Sequence, residues 1–212
     1  MDIVNILAEH YAENFSSPGD TLQCTVVDKT FQNHPHAHML SGHVQGKLLE
    51  TISCLLQPKR ILEIGTFTGF SALCLAKGLQ PDGELHTLEL RAEDAATALQ
   101  YFDQSAAKDK IKLHIGDARQ IIPTLKETWD IVFIDADKTG YIEYYELILP
   151  SVKTNGIIIA DNVLFHGAVL EENISGKNAK AIHAFNEHVK NDIRTEQVLL
   201  TVRDGLLLIR KL

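Results

Sequence analysis

With 212 residues, 45% of them hydrophobic, the chain is long enough for one large α/β domain with a substantial core and short for two. The 20 basic and 28 acidic side chains leave a formal charge of −8, which disfavours bulk electrostatic binding to nucleic acid or an anionic membrane and favours a small-molecule partner. No cationic segment followed by an apolar one opens the chain and nowhere do about 18 apolar residues run together, so a cytoplasmic location is expected; Cys24, Cys54 and Cys74 form no CxxC pair and indicate neither a disulfide framework nor a zinc site.

Taken in chain order, residues 16–38 are weakly patterned and read as a loop or lid. Within the stretch "NHPHAHML", His34, His36 and His38 alternate around a proline, which predicts an extended loop packed over a ligand rather than a second metal site. Ser41 then stands as a helix N-cap, after which Val44, Leu48, Ile52 and Leu55 recur at helical spacing and should cover a sheet. Cys54 and, further on, Cys74 lie in apolar helical patterns and read as buried thiols. From residue 60 short β-rich runs alternate with helical patterns, as in a parallel sheet covered on both faces. The strands fall at 60–64, 84–90, 111–117, 130–135, 156–162, 195–202 and 205–212. Only Arg203 and Asp204 stand between the last two before Gly205, too few for a crossover helix, so these strands should form an antiparallel hairpin at one edge. Residues 163–178 are a second candidate lid. The expected layout is one α/β domain over 1–212, with a helical or lid region at 1–58 and a ligand-binding core at 59–212.

The stretch "ILEIGTFTGFSALCLA" is a strand, a glycine turn and a helix. Gly65 and Gly69 stand where the backbone must turn tightly or approach a ligand. A dinucleotide site wants G-x-G-x-x-G with a pyrophosphate on the helix N-terminus. Here Phe67 occupies the place of the middle glycine and Glu63 puts a carboxylate before the turn, a poor neighbour for a pyrophosphate. S-adenosylmethionine carries a sulfonium and an ammonium instead of phosphates, so an acid suits it, directly or through water. Glu89, at the end of the second strand, sits where an acid accepts ribose hydroxyls. Asp117 and Ala118 end the third strand, beside an adenine pocket.

Ligands of open parallel sheets bind beyond the carboxyl ends of the strands. Asp135 ends the fourth strand, and Asp161 with Asn162 ends the fifth; if these strands are neighbours, ~4.8 Å apart, the three side chains converge. Two carboxylates and an amide oxygen make a hard site for Mg²⁺, Mn²⁺ or Ca²⁺. Asp137 is left out of that site. Lys138, three residues after Asp135, can reach back over the same edge. A cation beside it would push its pKa down, as a general base requires.

Together these residues resemble the cation-dependent O-methyltransferases, the family of caffeoyl-CoA and catechol O-methyltransferases and many small bacterial members. The resemblance covers roughly residues 39 to 212, through "LEIGTFTGFSALCLA", "HTLEL", "FIDADK", "GIIIADNVLFHG" and "DGLLLIRK" in that order. It implies a doubly wound, Rossmann-like methyltransferase fold: a seven-stranded, mostly parallel sheet whose last strand is reversed. It also implies metal ligands Asp135, Asp161 and Asn162, a catalytic lysine at Lys138, and a cofactor set of Met39, Ser41, Glu63, Gly65, Ser71, Glu89, Ala118, Asp135 and Tyr144. The implied reaction is methyl transfer from S-adenosylmethionine to a catechol-like, vicinal dihydroxy aromatic, by a homodimer. Methylation of 5-hydroxyuridine in transfer RNA is the rival acceptor, and a cofactor-binding module without catalysis the rival outside the enzymes. Plant-type members carry Trp-Asn where this chain has Phe165-His166, a departure that falls on the acceptor pocket.

Overall fold

The computed structural model of the protein describes residues 5–212. Two helices lead, α1 (Ile6–Phe15) and α2 (Thr21–Asn33), followed by α3 (His43–Leu56). From there β1 (Arg60–Ile64), α4 (Phe70–Leu75), β2 (Glu84–Glu89), α5 (Ala92–Phe102), β3 (Ile111–Ile115), α6 (Ala118–Ile121), β4 (Trp129–Ile134), α7 (Tyr141–Ile148), β5 (Val152–Asp161), α8 (Lys177–Lys190), β6 (Thr195–Leu200) and β7 (Leu206–Lys211) alternate. The seven strands form one sheet in the order β3-β2-β1-β4-β5-β7-β6. All pairings are parallel except those of β7, which runs against β5 and β6. The expected α/β architecture and its reversed last strand are both present.

Strand alternation sorts the apolar side chains onto two faces. Leu62, Ile64, Val132, Ile134 and Ile158 pack with Tyr141, Tyr145, Ile182 and Phe185 of α7 and α8. Ile61, Ile131, Phe133 and Ile159 pack on the other face with Leu49 of α3 and Leu73 and Leu75 of α4. Each such burial is worth roughly 1.5–3 kcal/mol, so the centre of the sheet is a rigid platform for whatever its carboxyl edge carries.

Five expectations need correction. Residues 16–38 are mostly not a loop: α2 occupies 21–33, and its start is a capping box in which Asp20 accepts from the Gln23 backbone and the Gln23 side chain accepts from Asp20 N. His34 to Met39 then continue as a tight turn and one 3₁₀ turn rather than as an extended strap. Helix α3 begins after Gly42, not Ser41, and no side chain caps it. Its inward face is accordingly rotated. Gln45, Gly46, Leu49 and Ser53 are buried, while Leu55 is 79% exposed and Cys54 is exposed too. Gly46 explains the rotation: a Cβ there would lie 2.5 Å from the Phe70 ring, so this face of α3 is the one that can approach α4. Cys74 is buried as expected.

Candidate active site

The chain order of the strands reverses between β1 and β4, and ligands of such sheets lie outside the carboxyl ends at that switch point. A cavity of about 940 Å³ opens there. Of the expected site residues, Met39, Ser41, Gly65, Ser71, Glu89, Ala118, Asp135, Lys138, Tyr144 and Asn162 line it. Glu63 and Asp161 lie behind its wall, both fully buried.

The glycine turn is dictated by backbone geometry. Gly65 has φ +100°, and a Cβ on it would stand 2.0 Å from the carbonyl oxygen of Asp135, so only glycine lets β1 and β4 end side by side. Glu89 holds the same turn from the next strand: its carboxylate accepts from Phe67 N at 2.7 Å and Arg91 N at 2.9 Å. Glu63 sits beneath, accepting from the hydroxyls of Ser71 and Thr87. Burial, against those two bonds, pushes its carboxyl up to about 8. Over the turn, the His34 ring meets the Phe67 ring edge-on at 4.6 Å between centroids, and His34 Nε2 lies 3.0 Å from Asp94 Oδ1.

Parallel pairing of β4 with β5 brings Asp135, Asp161 and Asn162 together as expected. Lys138 Nζ donates to Asp135 Oδ1 at 2.9 Å and to Asn162 Oδ1 at 2.8 Å, and it also contacts the Tyr141 hydroxyl at 2.8 Å. Burial disfavours this ammonium, yet Asp135, Tyr141 and Asp161 together outweigh the penalty and raise its pKa. Asp161 accepts from Asn162 N through Oδ1 and from Gln45 Nε2 through Oδ2, both at 2.7 Å. Burial, with Asp135 alongside, pushes its carboxyl up to about 7. Asp137 turns away, to Tyr144 and Arg119.

The donor set suits a hard divalent ion. The Asp135 carboxylate and the Asn162 amide oxygen already hold one positive charge, the Lys138 ammonium, with the Asp161 carboxylate acting on it electrostatically, and no sulfur or imidazole is among the three. Two residues escaped the sequence reading. Gln45 holds Asp161 from the buried face of α3, and since it lies off the apolar stripe of Val44, Leu48, Ile52 and Leu55, helical periodicity gives no signal for it. Asp204 accepts from Asn162 Nδ2 at 3.0 Å and from His166 N at 2.6 Å. In the sequence Asp204 is one more hairpin-turn acid. Phe165 and His166 both have positive φ, 45° and 53°, and both line the cavity mouth.

A family model described as O-methyltransferase matches residues 13–212. A probable caffeoyl-CoA O-methyltransferase of Dictyostelium discoideum is 34% identical over 209 residues, covering 96% of this chain and 90% of that protein. A catechol O-methyltransferase of Niastella koreensis is 37% identical over 146 residues, 67% of this chain and 66% of its own. Among solved structures, the S-adenosylhomocysteine-bound methyltransferase of Podospora anserina superposes with a TM-score of 0.90 at 29% identity, covering 98% of this chain and 94% of that one. No helix of the described residues is long and apolar enough to cross a membrane.

Proposed function

The chain belongs to the O-methyltransferase family and is an S-adenosylmethionine-dependent O-methyltransferase, and we propose that it requires a divalent cation and methylates one hydroxyl of a catechol-like, vicinal dihydroxy aromatic. One observation carries this reading. Asp135 Oδ1 and Asn162 Oδ1 converge on a single cationic position beside Asp161, and that position borders the cavity.

In this reading Glu89 receives the ribose hydroxyls, Ala118 borders the adenine, and Gly65 lets the backbone approach the cofactor. Met39, Ser41, Ser71 and Tyr144 complete its walls, with Asp135 toward the reacting end. Glu63 acts from behind, through the Ser71 hydroxyl and the shape of the turn. Asp135, Asp161 and Asn162 are the metal ligands. An ion held by them would supply charge that lowers the acceptor hydroxyl's pKa, and with Asp135 and Asn162 engaged as its ligands the Lys138 ammonium would lose the oxygens that favour its charged form. Lys138 Nζ is the proton acceptor. As the acceptor oxygen forms its bond to the methyl carbon and the carbon–sulfur bond breaks, the hydroxyl proton passes to Nζ and S-adenosylhomocysteine leaves.

A vicinal pair of hydroxyls fits because two adjacent oxygens orient the ring more tightly than one, a matter of alignment for an in-line displacement. The catechol and caffeoyl-CoA enzymes among the relatives support the same acceptor class. We also assign a cytoplasmic homodimer, supported by three unpaired thiols and by α1, which buries none of its residues and leaves Leu7, Tyr11 and Phe15 exposed.

The decisive assay offers catechols, caffeoyl-CoA, matched monohydroxy phenols and 5-hydroxyuridine-containing transfer RNA as methyl acceptors, with Mg²⁺ and in chelator. Methylation of dihydroxy aromatics alone, abolished by chelator and restored by Mg²⁺ or Mn²⁺, is the expected result. Equal turnover of monohydroxy phenols in chelator removes the cation from the reading, and methylation of the transfer RNA alone removes the small-molecule acceptor.

A further inference from the structure

A different cluster lies at the opposite, amino edge of the sheet. Glu84 opens β2 and His86 follows by two residues, so strand alternation points both side chains to one face. Glu127, two residues before Trp129 opens β4, meets them from the side. One ligand atom from each of the three lies within 4.8 Å of the others.

The imidazole makes this more than a pair of surface acids. His86 is only 9% exposed, and its Nε2 is buried with no hydrogen-bond partner. The facing oxygen, Glu84 Oε2, is 3.6 Å away, too far for a hydrogen bond. That gap matches the ~3.3 Å between two ligands of one tetrahedral ion with bonds near 2.0–2.1 Å. On the far side of the ring, His86 Nδ1 sits 3.1 Å from His114 Nε2. A ligating imidazole needs such an outer partner to take its other N–H and fix its tautomer. The carboxylates are not consumed by neighbouring cations: Arg60 Nε takes Glu127 Oε2 at 2.9 Å and Lys112 Nζ approaches Glu84 Oε1 at 3.8 Å, which leaves each acid its second oxygen.

We propose that Glu84, His86 and Glu127 form a transition-metal site of the zinc class, separate from the hard-oxygen site at the carboxyl edge. One imidazole nitrogen and two carboxylates, with a position left for water, favour Zn²⁺ or Co²⁺ over Mg²⁺, which avoids imidazole. By tying the first residue of β2 to the segment entering β4, on either side of β1, the ion stabilises the edge of the sheet that carries no active site.

The site has a built-in reporter. The Trp129 ring lies 5.5 Å from the His86 ring, and it is the only tryptophan in the chain. Co²⁺ titrated into the full-length protein, in excess Mg²⁺ to fill hard-oxygen sites, should quench Trp129 fluorescence saturably at one ion per chain. Zn²⁺, which stands above Co²⁺ in affinity order, should reverse the quench. Glu127→Gln and His86→Gln should each weaken Co²⁺ binding at least about tenfold. Glu127 is partly exposed, so its variant tests the site even if His86→Gln fails to fold. Quenching that does not saturate, that is unchanged in Glu127→Gln, or that Mg²⁺ reverses as well as Zn²⁺ does overturns the proposal.

Discussion

Gln45 Nε2 donates to Asp161 Oδ2 at 2.7 Å, a fully buried bond between helix α3 and the end of β5 across 116 residues of sequence. It fixes the orientation of a carboxylate proposed to hold the ion. Outer partners of this kind are worth about 10–100-fold in metal affinity. Gln45→Leu should therefore weaken Mn²⁺ binding by that factor, measured by calorimetry, while S-adenosylhomocysteine affinity stays within about twofold. Unchanged Mn²⁺ binding would reduce the bond to packing.

Lys138 stands where a cation is wanted, so it should oppose ion binding and yet be needed for turnover. Lys138→Met should bind Mg²⁺ more tightly than the parent, because no ammonium has to leave Asp135 and Asn162, but should lose kcat by roughly 10²–10⁴-fold. That loss should shrink in alkaline buffer, where the acceptor hydroxyl ionises unaided. A deficit that stays constant from neutral to alkaline pH, with chemistry rate-limiting, would assign Lys138 to positioning instead.

Glu89 serves both the ligand and the loop, since its oxygens hold Phe67 N and Arg91 N while lining the cavity. Glu89→Ala should cost cofactor binding roughly 1.5–3 kcal/mol, the range for hydrogen bonds to a charged group. The cost should be the same in chelator as in Mg²⁺, because the cofactor wall and the ion ligands are different residues. Intact affinity in calorimetry would take the ribose away from Glu89.

Glu63 makes the cofactor-free protein sensitive to pH. Its folded pKa, about 8, lies above the ordinary 4.5, because burial outweighs the Ser71 and Thr87 bonds. The folded state thus holds this proton more tightly than the unfolded chain does. The resulting stabilisation is complete below about pH 4.5 and is lost as pH rises to about 8. Glu63→Gln cannot titrate, so the stability difference between variant and parent should shift in the variant's favour between pH 5 and 9, by an amount on the order of a few kcal/mol. Denaturant midpoints at four or five pH values measure it, and a constant difference would place the Glu63 proton elsewhere.

Much of this protein was legible from its residues because it rests on local physics. Strand β1 was bounded as observed and the other strands lay within a few residues, since continuous apolar runs bounded by turn residues mark buried parallel strands. The hairpin that reverses β7 followed from a connection too short for a crossover. Asp135, Asp161 and Asn162 could be brought together on paper, because strand ends in a parallel sheet share one edge.

What the sequence left undecided depends on which face of an element meets which neighbour. Helix α3 turns on the Gly46–Phe70 contact, so Gln45 rather than Val44 faces the site and Leu55 and Cys54 face out. Helix α2 was missed because its apolar positions are few, although Asp20 and Gln23 carried a capping-box signal. The sequence leaves open whether Glu63 serves the cofactor directly or through an intermediary; the pleat of β1 sends it under the turn, where the Ser71 and Thr87 hydroxyls donate to it. Lys138 was read as reaching over the strand edge; only packing decided that its ammonium sits between Asp135 and Asn162. Spacing along the chain determines periodicity and edge, whereas the partner of a buried polar group is decided by three-dimensional closure, when each such group must find a hydrogen bond or a charge.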